Sequence, residues 1–375
     1  MPSQTLAQPV WVNSMQHLGQ MVSDLRSQPR LAVDTESNSL HAYRERVCLI
    51  QFSTPEVDYL VDPLEFEDLS ALGPLFSDPA IEKIFHAAEY DLICLRRDFA
   101  FQFENIFDTM HAARVLGYTA VGLDKLLGEK FGIQTDKRYQ KADWAARPLT
   151  AEQVDYARLD THYLIELRDV LEAELREKGR WELAQEDFRR AVLPDEPRSK
   201  VITEAWERYS SRRDLSLKDL TILSELLQCR EQIAASLDRP LFKVIEDEKL
   251  IAIARSEAST REQLAEAGLS EKQIRLWGQP MLAAVRRGSA AVPVERRPSV
   301  RPSDAMVLRL DKLKNWRKKV AREVGVESDI ILPKPYLHVL AEQAPRTSED
   351  LRRLMDDSPY RYQQYGAQIL KVLGA

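Results

Sequence analysis

Two acidic side chains stand two positions apart near the start of the chain, at the end of a hydrophobic segment over residues 30–36. Alternate side chains of a β-strand share a face, so Asp34 and Glu36 would point the same way, about 6.6 Å apart along the backbone. Two like charges so close are unfavourable unless something such as a divalent cation neutralises them. An acid-x-acid triple is also typical of a solvated surface, as expected for residues 65–67, so both interpretations stay open.

A third acid, Asp91, lies in the first turn of a predicted helix that follows a predicted strand over residues 83–86. A carboxylate in that position complements the positive end of the helix, so helix electrostatics alone would explain it. Metal binding is the alternative interpretation. His86, at the end of the strand, is interpreted as a histidine bonded to the backbone rather than as a catalytic group.

A tyrosine and a fourth acid, Tyr156 and Asp160, are four positions apart in a long predicted helix. Residues at this spacing share a helical face, so the hydroxyl and the carboxylate would point together. An ordinary tyrosine–aspartate pair on the surface would give the same pattern. Asp155 and Glu152 fall on neighbouring faces of the helix and are expected to be solvated.

The order and setting of these motifs resemble the DEDD exonucleases. That superfamily has a DxE pair on a first strand, an aspartate after a later strand, and YxxxD on a following helix. Tyr156 indicates the tyrosine subclass, because the histidine subclass would have histidine at the position of Asp155. Residues 31–40, 47–52 and 107–110 also look like the ribonuclease D family. The resemblance implies a 3′-to-5′ exoribonuclease that releases nucleoside 5′-monophosphates.

The resemblance also implies a site for two divalent metal ions, Mg²⁺ or Mn²⁺. In that site Asp34 would bridge both ions, and Glu36 and Asp160 would complete the coordination of the ion that carries the attacking water. Asp91 would hold the second ion, and Tyr156 would orient the water. Glu36 would in addition contact the hydroxyls of the terminal ribose, which is how an RNA end would be recognised.

The elements that must position these residues form an α/β pattern over residues 1–200, for which the resemblance implies the ribonuclease-H-like fold. An opening helix presents one hydrophobic face, formed by Leu18, Met21, Val22 and Leu25. Five strands are predicted, over residues 30–36, 47–52, 59–61, 83–86 and 105–107. A helical stretch over residues 69–76 precedes the fourth strand, and helical spacing predominates over residues 108–183.

The remaining sequence predicts two copies of one helical unit. The pattern Arg230, Ile233 and Ala234 recurs 87 positions later as Arg317, Val320 and Ala321, and further matches share this offset. Both copies resemble the HRDC domain. We predict a first HRDC-like domain over residues 206–288, a linker over 289–303 and a second, more divergent copy over 304–375. The first copy has Cys229 where the family has an aromatic residue, and the second keeps Trp316.

The net charge of −6 conceals an asymmetry between the two parts of the chain. Residues 1–200 carry 23 basic and 34 acidic side chains, whereas residues 201–375 carry 30 and 25. A basic helical part could grip a polyanion while the acidic part holds cations. By resemblance, the expected partners are RNA, above all tRNA precursors and structured small RNAs with 3′ extensions. A DNA exonuclease with the same chemistry and a non-catalytic binding protein are the alternatives.

Other chemistries lack sequence support. The chain has no P-loop, no glycine-rich dinucleotide turn, no HExxH and no GxSxG. Its three cysteines, Cys48, Cys94 and Cys229, form no CxxC pair, which argues against zinc or disulfides and favours a reducing compartment. The first residues resemble no signal peptide and no apolar run spans a bilayer. We therefore expect a cytoplasmic protein, not a membrane one, and a monomer.

Overall fold

The computed structural model describes residues 6–192, 205–296 and 302–374. The chain divides into two compact units. The first comprises Met1–Ser37, Val47–Pro194 and Arg301–Ala375, and the second comprises Asn38–Arg46 and Asp195–Val300.

A six-stranded mixed sheet forms the centre of the first unit. Its strands are β1 (Val10–Val12), β2 (Arg30–Ser37), β3 (Val47–Ser53), β4 (Asp58–Val61), β5 (Glu82–Phe85) and β6 (Ile106–Asp108). They lie in the order β1-β4-β3-β2-β5-β6. The two neighbours of β2 differ in direction, since β3 is antiparallel to it and β5 is parallel. The predicted α/β fold of the ribonuclease-H-like type is confirmed.

Eight helices accompany this sheet in the described part of the exonuclease region. They are α1 (Met15–Arg26), α2 (Gly73–Ser77), α3 (Glu89–Phe99), α4 (Thr109–Leu116), α5 (Leu123–Phe131), α6 (Ala151–His162), α7 (Leu164–Glu177) and α8 (Trp181–Val192). Short 3-10 turns lie at Pro63–Glu65 and Ser70–Leu72. All seven residues of β3 are buried, as expected for a strand covered on both faces.

The predicted elements agree with the structure at most positions. The opening helix buries the four predicted side chains, and its N-terminus is capped by the Ser14 hydroxyl. The helical stretch predicted over residues 69–76 is instead a 3-10 turn followed by the short helix α2. The strand β1 was not predicted, because it has only three residues and Val10 is exposed at the edge of the sheet.

The second unit contains the first helical repeat, with a 3-10 turn at Ala205–Tyr209 and five helices. These are α9 (Leu217–Leu237), α10 (Leu241–Val244), α11 (Asp247–Ser256), α12 (Arg261–Glu266) and α13 (Glu271–Ala290). The second repeat, which belongs to the first unit, also has five. These are α14 (Asp304–Val324), α15 (Ser328–Ile331), α16 (Lys334–Gln343), α17 (Ser348–Leu354) and α18 (Pro359–Leu373).

The two repeats have matching helices, as the sequence offset predicts. The helices α9 and α14 both contain 21 residues, and α11 and α16 both contain 10. An arginine makes the same contact in each copy, because Arg230 Nη1 donates to the Ile245 carbonyl at 2.7 Å and Arg317 Nη1 donates to the Leu332 carbonyl at 2.7 Å.

The second repeat is joined to α8 of the exonuclease region by buried charges. Arg361 in the first turn of α18 is fully buried; it donates to Glu186 at 2.9 Å and to Asp187 at 2.9 Å. Its Nη2 also donates to the Ile330 carbonyl at 2.8 Å. We call Arg361, Glu186 and Asp187 the Arg361 cluster. Ile330 lies in the same hydrophobic core as Leu183 and Phe188 of α8, so apolar contacts reinforce this cluster.

The domain boundaries predicted from the sequence stay a prediction. The helix α13 continues to Ala290, so the first two residues of the predicted linker 289–303 are helical, and residues 297–301 lie outside the described part. Cys48, Cys94 and Cys229 are buried, and none of the three forms a disulfide. Among the helices of the described ranges, none combines the length and apolar character needed to cross a membrane.

Candidate active site

Three of the predicted acids meet where β2 faces α6. Asp34 and Glu36 project from β2, and Asp160 projects from α6. The N-terminus of α6 is stabilised by a capping box between Thr150 and Gln153. One carboxylate oxygen from each residue lies within 4.8 Å of the other two. Such a set of hard oxygen donors suits Mg²⁺ or Mn²⁺ better than zinc.

The fourth predicted acid is connected to this trio through a residue that the sequence analysis did not select. Asp91, in the first turn of α3, accepts a hydrogen bond from the hydroxyl of Thr35, which stands between Asp34 and Glu36. The turn before α3 is held in place by Asp108, whose carboxylate accepts the backbone N–H groups of Ala87 and Ala88 at 3.1 and 2.8 Å. Thr35 on β2 and Asp108 at the end of β6 therefore fix the position of Asp91 and of the turn before it.

Burial and mutual repulsion dominate the electrostatics of the four carboxylates. Burial raises the pKa of Asp34 well above its usual range, and Asp91, Asp160 and Glu36 raise it further. Burial raises the pKa of Glu36 in the same way. Burial also raises the pKa of Asp91 and that of Asp160 to about 7 each. The charged groups that shift these pKa values most are themselves carboxylates, so a cation would stabilise the cluster.

Tyr156 lies beside the acids and stays protonated. Burial raises the pKa of its hydroxyl far above the ordinary value, and the charge of Asp160 raises it further. The hydroxyl shares a hydrogen bond with Asp160. Two aromatic rings hold the phenol in position, because the centroid of Trp144 lies 5.9 Å and that of Tyr139 lies 6.0 Å from it. Nothing in the spacing of Trp144 or Tyr139 indicated this contact.

The residues interpreted as structural lie outside the trio. His86 Nδ1 is 2.9 Å from the Thr109 hydroxyl, so its partner is a side chain and not the backbone as expected. Burial lowers the pKa of His86, which favours a neutral ring. Asp155 and Glu152 are exposed on α6, as expected from their positions.

Gln51 is a further polar residue at this site that the sequence analysis missed. It is the β3 partner of Asp34 in the antiparallel register and is fully buried. Neither its Nε2 nor its Oε1 has a hydrogen-bond partner. The sequence signal was masked because Gln51 lies inside an otherwise hydrophobic strand.

Comparisons with known proteins agree with this geometry. A family described as 3′-5′ exonuclease matches residues 9–176, and the HRDC domain family matches residues 219–285 and 308–373. The fold and the acid cluster therefore define a 3′-5′ exonuclease of the DEDD superfamily that carries two HRDC domains.

Individual relatives narrow the assignment. Ribonuclease D of Granulibacter bethesdensis is 30% identical over 366 residues, which cover 93% of this chain and 87% of that protein. The exosome complex exonuclease RRP6 of Saccharomyces cerevisiae is 40% identical over 173 residues, which cover 46% of this chain. Those residues span only 24% of the yeast protein. The crystal structure of Escherichia coli RNase D, at 23% identity, covers 94% of this chain and 100% of its own with a TM-score of 0.70. This chain belongs to the ribonuclease D family of 3′-5′ exoribonucleases.

Proposed function

We propose that this chain hydrolyses RNA from its 3′ end with two divalent metal ions and releases nucleoside 5′-monophosphates. The observation that carries the proposal is the cluster of Asp34, Glu36, Asp91 and Asp160, whose pKa values are all raised by burial and whose strongest charged neighbours are other carboxylates. Repulsion within such a cluster destabilises the metal-free protein, and bound cations would remove that repulsion.

The residues of the cluster divide between the two ions. Asp34 would contact both, Glu36 and Asp160 would hold the first, and Asp91 would hold the second. When bound, the ions would activate a water and neutralise the charge that develops on the phosphate and the departing 3′ oxygen. Water then forms the new bond to phosphorus while the bond to the 3′ oxygen breaks, so the released nucleotide keeps the 5′-phosphate.

Tyr156 orients the attacking water and does not act as a base in this proposal. Its raised pKa keeps the hydroxyl protonated, so it can donate one hydrogen bond and accept another. Its contacts with Trp144 and Tyr139 fix the direction of the hydroxyl. Glu36 would also receive a hydrogen bond from the hydroxyls of the terminal ribose, which gives preference for a free 3′ end.

The proposed substrates are tRNA precursors and structured small RNAs with 3′ extensions. The support is membership of the ribonuclease D family, together with the fold shared with Escherichia coli RNase D, an exoribonuclease involved in structured RNA processing. The choice of Mg²⁺ or Mn²⁺, a monomeric state and a cytoplasmic location stay predictions.

The decisive experiment uses a tRNA with a 3′ extension, labelled at its 5′ end. We expect stepwise shortening with Mg²⁺ or Mn²⁺, no reaction with EDTA, and no reaction by Asp34→Asn protein. A matched DNA oligonucleotide should be degraded more slowly than its RNA counterpart, and circular RNA should resist. Equal rates on DNA would favour the alternative of a DNA exonuclease, and cutting of circles would indicate an endonuclease.

The second HRDC domain is proposed to supply part of the grip on RNA. Lys314, Lys318 and Arg322 follow one another at intervals of four on α14 and therefore lie on one face of the helix. We expect Lys318→Glu to weaken tRNA binding and to reduce the salt dependence of the affinity, because fewer counterions are released. Lys334→Glu, at the exposed first position of α16, is the matched control. Equal affinities for both variants and the wild type would favour a bracing role for the repeat.

Removing both repeats by a cut near residue 198 would be a less clean test. That position lies outside the described residues, and the cut would also take Arg361 away from Glu186 and Asp187. Point substitutions on α14 leave the Arg361 cluster intact.

A further inference from the structure

The sheet places a buried amide beside the predicted bridging carboxylate. In the antiparallel register of β2 and β3, Gln51 is directly opposite Asp34, and on its other side it is paired with Leu60 of β4. Residues directly opposite one another in neighbouring strands project on the same face of a sheet. Gln51 therefore shares the face from which Asp34 and Glu36 project.

The helix α6 covers this face on both sides of Gln51. Leu49, two residues before it, belongs to one hydrophobic cluster with Ala157 and Tyr156 of α6. Ser53, two residues after it, has its hydroxyl oxygen 2.7 Å from the Thr161 hydroxyl oxygen. The segment of α6 between these contacts carries Asp160. The side chain of Gln51 therefore lies between β3 and the segment of α6 that carries Asp160.

The amide of Gln51 has no hydrogen-bond partner in this enclosure, although it is fully buried. An unpartnered amide in the interior is destabilising, and a leucine or methionine of similar size would fill the same space without that cost. The apolar neighbours Leu49 and Leu60 offer nothing to bond. The polar group that shares its face and its register is the carboxylate of Asp34.

A carboxylate that bridges two cations needs a fixed orientation, and hydrogen-bond donors outside the coordination sphere usually provide it. We propose that Gln51 is a positioning residue whose side-chain N–H group donates to Asp34 when the site is loaded, and thereby sets the direction of the bridging carboxylate. This inference rests on the proposed metal-dependent function. It assigns Gln51 a role in metal affinity at the expense of the stability of the metal-free protein.

The test compares Mn²⁺ affinity with the melting temperature of the metal-free protein. Substitution of an ordinary core residue would lower both. Gln51→Leu and Gln51→Met full-length proteins are titrated with Mn²⁺ by calorimetry and by electron paramagnetic resonance, and their melting temperatures are measured in EDTA. We expect the metal-free variants to melt at or above the wild-type temperature, and Mn²⁺ affinity to fall by roughly 10–100-fold. The Mn²⁺ concentration for half-maximal exonuclease rate should rise by a similar factor, and excess Mn²⁺ should restore the rate.

Ser53→Ala is the matched control, because it removes a polar group from the same face of the same strand. The Ser53 hydroxyl is satisfied by Asp58 at 2.6 Å, so this variant should lower the melting temperature and leave Mn²⁺ affinity unchanged. Wild-type Mn²⁺ affinity in both Gln51 variants would overturn the inference, as would loss of folding in both. Absence of Mn²⁺ binding in the wild type would instead refute the proposed function itself.

Discussion

The first unit contains two groups of partly or fully buried acids that differ in how their charge is balanced. In the Arg361 cluster, Glu186 and Asp187 each accept a hydrogen bond from one guanidinium at 2.9 Å. In the cluster around Asp34 the strongest charged neighbours are other carboxylates. Burial raises the pKa of Glu186 as well, but Arg361 opposes that shift, whereas Asp91 and Asp160 add to the shift at Asp34. The fold balances one group with its own arginine and leaves the other for cations.

The largest expected effect follows from removing one charge of the unbalanced group. Asp160→Asn should lower kcat by about 10³-fold or more, since the loss of several kcal/mol of charge stabilisation by a metal corresponds to that factor. The metal-free protein should melt at a higher temperature than the wild type, because one repulsive charge has gone. Single-turnover rates and thermal melts in EDTA measure both. A near-normal kcat would remove Asp160 from the site, and Asp34→Asn and Asp91→Asn should behave alike.

Removing the charge that balances the other group should have the opposite effect on stability. Arg361→Met leaves the fully buried Glu186 without its partner, which should cost about 3–5 kcal/mol of unfolding free energy. Mn²⁺ affinity should stay at the wild-type value, because the Arg361 cluster contributes nothing to the metal site. Denaturant melts and Mn²⁺ titrations test this. Adding Glu186→Gln to the variant should recover part of the loss, and an unchanged stability in Arg361→Met would contradict the comparison.

A substitution of Tyr156 tests whether this residue contributes to the reaction rate rather than to RNA binding. Tyr156→Phe should lower kcat by roughly 10²-fold, because an oriented hydroxyl contributes mainly in the transition state. RNA affinity should change little, and binding measured in Ca²⁺ or with Asp34→Asn as a common background gives the comparison. A large loss of affinity with an unaltered kcat would mark Tyr156 as a substrate contact.

A pH dependence is expected for the stability of the metal-free protein. The pKa values of Asp91 and Asp160 rise from 3.8 to about 7 on folding. The folded state therefore binds more protons than the unfolded state between these values. The stabilisation that these two groups contribute is full below about pH 4 and is lost as the pH rises towards 7. Saturating Mn²⁺ should weaken or reverse this slope, because metal binding favours the ionised carboxylates. Thermal melts between pH 4 and 8 measure it, and a flat profile in EDTA would contradict the raised pKa values.

Patterns of short period allowed most of the catalytic region to be predicted from the sequence. The DxE pair on β2 and the YxxxD pair on α6 follow from strand and helix periodicity, and the structure brings Asp34, Glu36 and Asp160 together. The 87-residue offset likewise predicted two matching sets of helices, which the HRDC matches confirm. These features depend on local spacing, which the chain displays directly.

The features that were missed depend on contacts between distant segments. Arg361 and Glu186 resemble solvated charges on helices, because nothing in their own segments shows that α18 and α8 meet. The hydrogen bond from Thr35 to Asp91 joins two elements in the same way. Gln51 was overlooked because a single polar residue in a hydrophobic strand looks like a tolerated exception. Its significance comes only from its register with Asp34.

The attachment of α18 to α8 also fixes the order in which this protein is completed during synthesis. Glu186 and Arg361 are 175 positions apart, which corresponds to roughly ten to thirty seconds of translation. Throughout that interval the nascent exonuclease region carries Glu186 and Asp187 without their arginine. The first HRDC repeat, which has its own hydrophobic core, meanwhile emerges and can fold by itself. The exonuclease region, which is translated first, is therefore the last to complete its contacts. In a nascent chain stalled before codon 361, proteases should cleave the exonuclease domain more readily than the first HRDC repeat.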